Sequence, residues 1–248
     1  MKTKTLSTFL LLICLSCSTS NEHEQGVVVP TASEIIEKCI GHYDPSGSWD
    51  SYSGKVHLNT IFRDRTGEEI LEINNKTGFY QSTRLDTKDK IIRGIKDGAC
   101  IHMIGENSDL TDEQIEANNL SCEIIAEVKE HHTSHFGFIL NMERAGIIIN
   151  DDVSEDNFNG WDCYVISHKA EESEVVHNYY MGEGKLYIDK INYKLRGRTV
   201  NHPDYPPRKM IYNGEATVGS IIMPEVVVYF ENGSPQFMFV DIFRTVDG

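Results

Sequence analysis

The sequence predicts a mainly β, α+β fold in which a large curved antiparallel sheet is covered by an N-terminal helix and a central helical segment. Three observations predict it. From Lys55 onward, stretches of alternating apolar and polar residues recur, separated by short turns. Neighbours joined by short turns pair antiparallel, because parallel pairing needs long crossovers. Two stretches, near 31–40 and within 111–145, have helical spacing instead. Finally, Val226-Val-Val-Tyr-Phe230 and Phe237-Met-Phe-Val-Asp-Ile-Phe243 are apolar on both faces except at Asp241. A sheet with two apolar faces must be covered twice, by helices on one side and by its own curvature or a ligand on the other.

The elements follow in order. Met1-Lys2-Thr3-Lys4, then the apolar run Leu6 to Leu15, has the charged and hydrophobic parts of a secretory signal. The run is too short to span a bilayer, which takes about 20 apolar residues. Ser16-Cys17 follows, and this resembles the lipobox of bacterial lipoproteins, with Cys14 where that family prefers Leu or Val. The expectation is a signal peptide over 1–17, lipidation on Cys17 and a membrane held through that anchor. The alternative is an ordinary cleaved signal with an incidental cysteine. Residues 18–30 are polar and then weakly apolar, which reads as a flexible tether. The expected single domain is 31–248.

Thr31 or Ser33 is placed to cap a helix whose apolar stripe is Ile35, Ile36, Cys39 and Ile40, stopping at Gly41. His42-Tyr-Asp-Pro-Ser-Gly-Ser-Trp49 is a turn-rich loop. Strands are expected at 55–62, 69–73, 77–83, 91–95 and 99–104, with Asp97-Gly98 as a hairpin turn. Thr111-Asp-Glu-Gln114 starts a capped helix, and 123–145 is helical. Asn150 to Gly160 reads as an acidic turn. Further strands are expected at 162–167, 175–181, 185–189, 193–200, 209–217, 221–230 and 237–245.

Composition excludes some functions. Acidic side chains outnumber basic ones 38 to 23, a net charge of −15, and losing Lys2 and Lys4 with a signal makes it more negative still. Such a surface repels phosphate backbones, so no nucleic acid is expected as a partner. Cys39, Cys100, Cys122 and Cys163 have no zinc-ribbon spacing. In an oxidising compartment they form up to two disulfides, or some are buried thiols; the spacing leaves both readings open.

The sequence offers few candidate sites. His131 and His135 lie one helical turn apart with Glu127 on the same face, which is metal-ligand spacing, but the glutamate of the H-E-x-x-H motif is missing. A solvated polar face is the plainer reading. An EF-hand counted from Asp152 puts Asn157 and Cys163 where Gly and Glu are required. No nucleophile elbow, phosphate loop or cofactor motif is present, so no catalytic residue and no cofactor is expected. Phe230, Phe237, Phe239 and Phe243 on the doubly apolar strands are the candidate lining for a lipid or other hydrophobic small molecule.

The lipobox, the first helix and the His42–Trp49 loop together resemble a Gram-negative lipoprotein family to which no function is assigned. That family carries a His-Asp-Pro-Asn-Gly-x-Trp loop ahead of a long antiparallel sheet. Here Tyr43 is inserted and Ser46 replaces Asn. Phe136 to Met142 and Ile221-Ile-Met-Pro224 resemble the same family. Its relatives resemble the periplasmic lipoprotein-carrier, or lipoprotein-sorting, fold. The resemblance implies an incomplete barrel closed by helices around an apolar cavity and a place in the cell envelope. It implies no catalytic residue. The rival expectations are a structural or interaction module with a solid core and an acidic surface and, behind it, a metal-assisted enzyme working through His131 and His135.

Overall fold

The computed structural model describes residues 29–170, 182–202 and 205–246, with the side chains of 134 and 135 excepted. Cys17, the tether up to residue 28 and the expected strand 175–181 lie outside the described residues.

Helix α1 (Ala32–Tyr43) begins with a capping box: the Thr31 hydroxyl accepts from the Glu34 backbone N–H while the Glu34 carboxylate accepts from Thr31 N–H. Ala32, Ile35, Ile36, Cys39 and Tyr43 are its buried face. The helix runs past Gly41 because Tyr43 is drawn into the core, where its hydroxyl accepts the Leu195 N–H at 3.1 Å. A single 3₁₀ turn, Trp49–Ser51, then leads into the sheet.

The first meander is β1 (Ser53–Phe62), β2 (Thr66–Asn74), β3 (Phe79–Arg84), β4 (Ile91–Lys96) and β5 (Ala99–Ile104). The turn between β4 and β5 is Asp97-Gly98 with both φ positive, at 51° and 77°. That conformation matches the right-handed twist of the flanking strands. Helices α2 (Asp112–Ala117), α3 (Cys122–Phe136) and α4 (Phe138–Asn141) follow. The second meander is β6 (Ile147–Phe158), β7 (Trp161–Ala170), β8 (Glu183–Asp189), β9 (Leu195–His202) and β10 (Tyr205–Asn213). A small hairpin, β11 (Ala216–Val218) and β12 (Ile221–Met223), precedes β13 (Val226–Glu231) and β14 (Phe237–Thr245).

All large strands join one twelve-stranded antiparallel sheet in the order β5-β4-β3-β2-β1-β14-β13-β10-β9-β8-β7-β6. The pairing of β1 with β14, Leu58 opposite Phe243, welds the two meanders together. The sheet does not close, since β5 and β6 are its two free edges. These edges are sequence neighbours, separated only by α2, α3 and α4. Joining them through so short a segment requires a strongly curled sheet with the helices across its hollow. The Cys100–Cys122 disulfide fixes the start of α3 to edge strand β5, and α4 delivers the chain to β6. Cys39 and Cys163 are buried thiols, so the four cysteines divide between the two readings of the sequence.

One continuous core fills much of the hollow, from Ile35 and Cys39 of α1 through Leu71, Tyr80, Leu186, Met210, Tyr229 and Phe243 of the sheet to Phe136 and Ile139. A small second cluster, Phe158, Cys163 and Ile211 with Tyr187 and Phe230, lies on the convex face.

Several expectations are overturned: besides α1 running past Gly41, the expected strand 209–217 is divided between β10 and β11, and 221–230 between β12 and β13. Residues 150–160 are not an acidic turn but most of strand β6, and only Asn159-Gly160, with φ of 53° and 89°, makes the turn into β7. The strand is exposed along most of its length, so no apolar alternation betrays it. Charge along a free edge also discourages pairing with another chain.

Candidate functional site

The His42–Trp49 loop is a structural bolt. Asp44 accepts the backbone N–H groups of Ser48 and Trp49 at 2.9 and 2.7 Å. Burial opposes charge on this carboxyl, but those hydrogen bonds prevail and hold it below the usual carboxylate range. Trp49 is buried, stacks on Tyr52 and donates its indole N–H to Asn141 at 2.9 Å, which ties the loop to α4.

The hollow is not filled everywhere. Between α3 and the inner face of the sheet lies a cleft of about 390 Å³, within the roughly 300–1,000 Å³ range of small-molecule sites. One wall is apolar: Leu58 and Phe62 of β1, Phe239 of β14 and Val128 of α3. Charge gathers on the other. Glu69 of β2 accepts Arg93 Nη2 of β4 at 3.1 Å and the Ser82 hydroxyl of β3. Burial disfavours a charged Glu69, yet His132, Arg93 and Ser82 together hold its carboxyl below the ordinary value. Arg84 and Asp86, an ion pair at 3.5 Å, complete this side, while Arg65 lies over the Phe62 ring.

Helix α3 contributes His131 and His132 to the cleft. The Tyr80 hydroxyl and His132 Nδ1 are 2.6 Å apart, and burial pushes the His132 imidazole below its ordinary value, against the pull of Glu69 and Asp241. Asp241, almost wholly buried on β14, accepts the Thr60 hydroxyl at 2.6 Å. Burial raises its carboxyl above the usual range, opposed by Thr60 and the facing histidines.

The candidate residues read from sequence are scattered by the fold. Phe239 lines the cleft, and Phe243 lies deeper, buried against Phe136. Phe230 packs on the convex face with Phe158 and Tyr187, and Phe237 opens β14 and is exposed. A bulge between Tyr229 and Phe230 in the β13–β14 ladder shifts which residues share a face. His131 faces the cleft, whereas the His135 side chain lies outside the described residues. Among the described residues no cluster of three or more His, Cys, Asp or Glu has metal-holding geometry.

Sequence reading passed over Glu69, Arg93 and Arg198. Their signal is a charge at the apolar phase of a strand alternation, as Arg93 between Ile91 and Ile95. Asp241 carries the same signal and interrupts an otherwise apolar strand.

The arrangement is similar to two solved structures. One is a LolA superfamily protein from Nitrosomonas europaea, 12% identical, matched over 89% of this chain and 96% of that one with a TM-score of 0.48. The other, from Vibrio parahaemolyticus, is a protein domain assigned to outer membrane lipoprotein sorting. It is 9% identical, matched over 87% and 91% of the two chains with a TM-score of 0.46. No family model matches the sequence, and no curated protein does. At these identities neither residue roles nor ligands carry over.

Proposed function

We propose that this protein is a cell-envelope carrier, held to a membrane through a lipid on Cys17, that takes a small amphipathic molecule into the cleft beneath α3. The observation that carries this reading is the lining of the cleft. An apolar wall of Leu58, Phe62, Val128 and Phe239 suits a hydrocarbon chain, and Arg84 and Arg93 on the polar side, with Arg65 over the Phe62 ring at the edge of the wall, suit a polar or anionic head. Apolar contact supplies affinity in such sites and a few placed polar groups supply orientation.

The test is organic extraction of the purified protein followed by mass spectrometry, together with titration of a fluorescent fatty acid. A co-purified amphiphile, or saturable binding that Val128→Trp weakens about tenfold or more by filling the cleft, supports the carrier. Absence of both sinks it.

A second reading is favoured by a specific observation: the void under α4 is only about 10 Å³, roughly one water molecule. That half of the hollow is packed solid, as in a structural or interaction module. Crosslinking in the envelope that captures one protein in a salt-sensitive way would favour this module.

A further inference from the structure

The inner face of the sheet holds a second polar feature, away from the cleft and under α4. Arg198 of β9 has no exposed surface. Its guanidinium carbon lies 3.6 Å from the centre of the Phe138 ring, and none of its three nitrogens makes a well-aligned hydrogen bond, the nearby Tyr212 hydroxyl being a polar neighbour of the group. Its neighbours across the ladder are Leu186 and Met210, both buried and apolar. His168 of β7 is close by, 2% exposed, with its ring 6.0 Å from Phe138; neither ring nitrogen makes a well-aligned hydrogen bond, the Thr199 backbone being its nearest polar group. Gly184 on β8 makes room for that ring; a side chain there would start 3.0 Å from His168 Nε2.

A guanidinium does not lose its proton inside proteins. Arg198 therefore places a full positive charge in the core, and no carboxylate pairs with it among the described residues. An unpaired buried charge is among the costliest things a fold can keep, and the face of one aromatic ring recovers only part of that cost. The outer surface, by contrast, is strongly acidic. A cation hidden inside such a protein is organised to meet an anion that enters.

We propose that Arg198 is the receptor for a carboxylate, bound between β9 and α4 with Phe138 as its cover and His168 at its flank. The planar fork of a guanidinium matches the two oxygens of a carboxylate. Size points the same way, since the adjoining void between α4 and Leu195, Tyr212 and Ile222 is about 10 Å³. A flat two-oxygen group needs less outward movement of α4 than a tetrahedral phosphate does. Helix α4 is a single turn outside the strand ladders, so displacing it breaks no strand pairing, at the cost of the Trp49–Asn141 hydrogen bond. This site stands whether or not the cleft beneath α3 holds a ligand.

The experiment is thermal unfolding of the full chain at pH 7.5 and constant ionic strength in chloride, acetate, octanoate, or chloride with octanol. Acetate or octanoate is expected to raise the wild-type melting temperature above that in chloride. A response to both identifies a free carboxylate as sufficient, and a response to octanoate alone identifies the head of an amphiphile. Arg198→Met keeps the bulk and the Phe138 contact; it is expected to melt higher than wild type in chloride and to lose the carboxylate response. Should that variant not fold, Arg198→Lys keeps the charge without the fork, and a carboxylate affinity weakened about tenfold or more supports the site. The site is overturned if neither carboxylate exceeds chloride in the wild type, or if the response survives undiminished in the Arg198 variants. Octanol stabilising as well as octanoate would leave the carrier reading intact while removing the site at Arg198.

Discussion

The Tyr80 hydroxyl and His132 Nδ1, 2.6 Å apart and both buried, join the inner face of the sheet to the helix that crosses its hollow. This bond and the Cys100–Cys122 disulfide are the two fixed points of α3, and the cleft lies on the open side of that helix.

Tyr80→Phe removes the bond while keeping the ring. It leaves His132 Nδ1 buried without a partner, which costs about 1–3 kcal/mol. Urea unfolding should show that loss, and hydrogen exchange should quicken in α3 before it quickens in the sheet.

Reduction of the disulfide, or Cys122→Ser, frees the start of α3 from the edge strand. The cysteines are 22 positions apart in the chain, so the loss of chain constraint is worth about 3 kcal/mol. Melting with and without reductant measures it. Cys39 and Cys163, whose thiols burial pushes up (Cys163 to about 11), should resist a thiol reagent until the chain unfolds.

Acid sensitivity follows from the buried histidines. Burial, aided by the charge of Arg198, pushes His168 down to about 3, and burial lowers His132 as well. Both imidazoles take up protons near pH 6.5 in the unfolded chain. Between that pH and the folded-state value the unfolded chain binds more protons, so stability falls as pH falls, by about 1.4 kcal/mol per unit for each histidine. Asp241 acts in the opposite sense, because its raised carboxyl binds a proton more readily in the folded chain. Denaturant unfolding at pH 7.5 and pH 5 should show a drop that His168→Leu makes shallower. An unchanged slope would contradict the burial of a neutral imidazole there.

Gly137, between α3 and α4, has a negative φ of −132° that does not call for glycine, so its small size rather than its flexibility is what the fold uses. A Cβ there would sit 2.6 Å from Trp49 Cζ2. Gly137→Ala should overpack the junction and cost about 1–3 kcal/mol. Pairing it with Trp49→Phe should recover part of the loss in thermal melts.

Periodicity, caps and turn residues are local properties, and they made much of this fold legible in the chain. The Thr31 and Thr111 caps, the Asp97-Gly98 turn and the alternation in β1 each depend on residues within one turn of helix or one hairpin. The long edge strand β6 was not legible, because a strand bathed on both faces needs no apolar residues and its polar run looks like a loop.

The site divides in the same way. That Phe239 and Asp241 lie on one strand in the same phase is a property of the sequence. Which face of that strand looks into the hollow depends on its pairing with β1 and β13, and the bulge beside Phe230 sets Phe237 out of phase with Phe239. Glu69 meets Arg93 within the β2–β3–β4 meander, but the meetings of His132 with Tyr80 and of Arg198 with Phe138 join residues far apart in the chain. Only the pairing of β1 with β14 and the passage of α3 and α4 from one sheet edge to the other bring them together, because the energy of such contacts arises when the whole sheet has curled and excluded water.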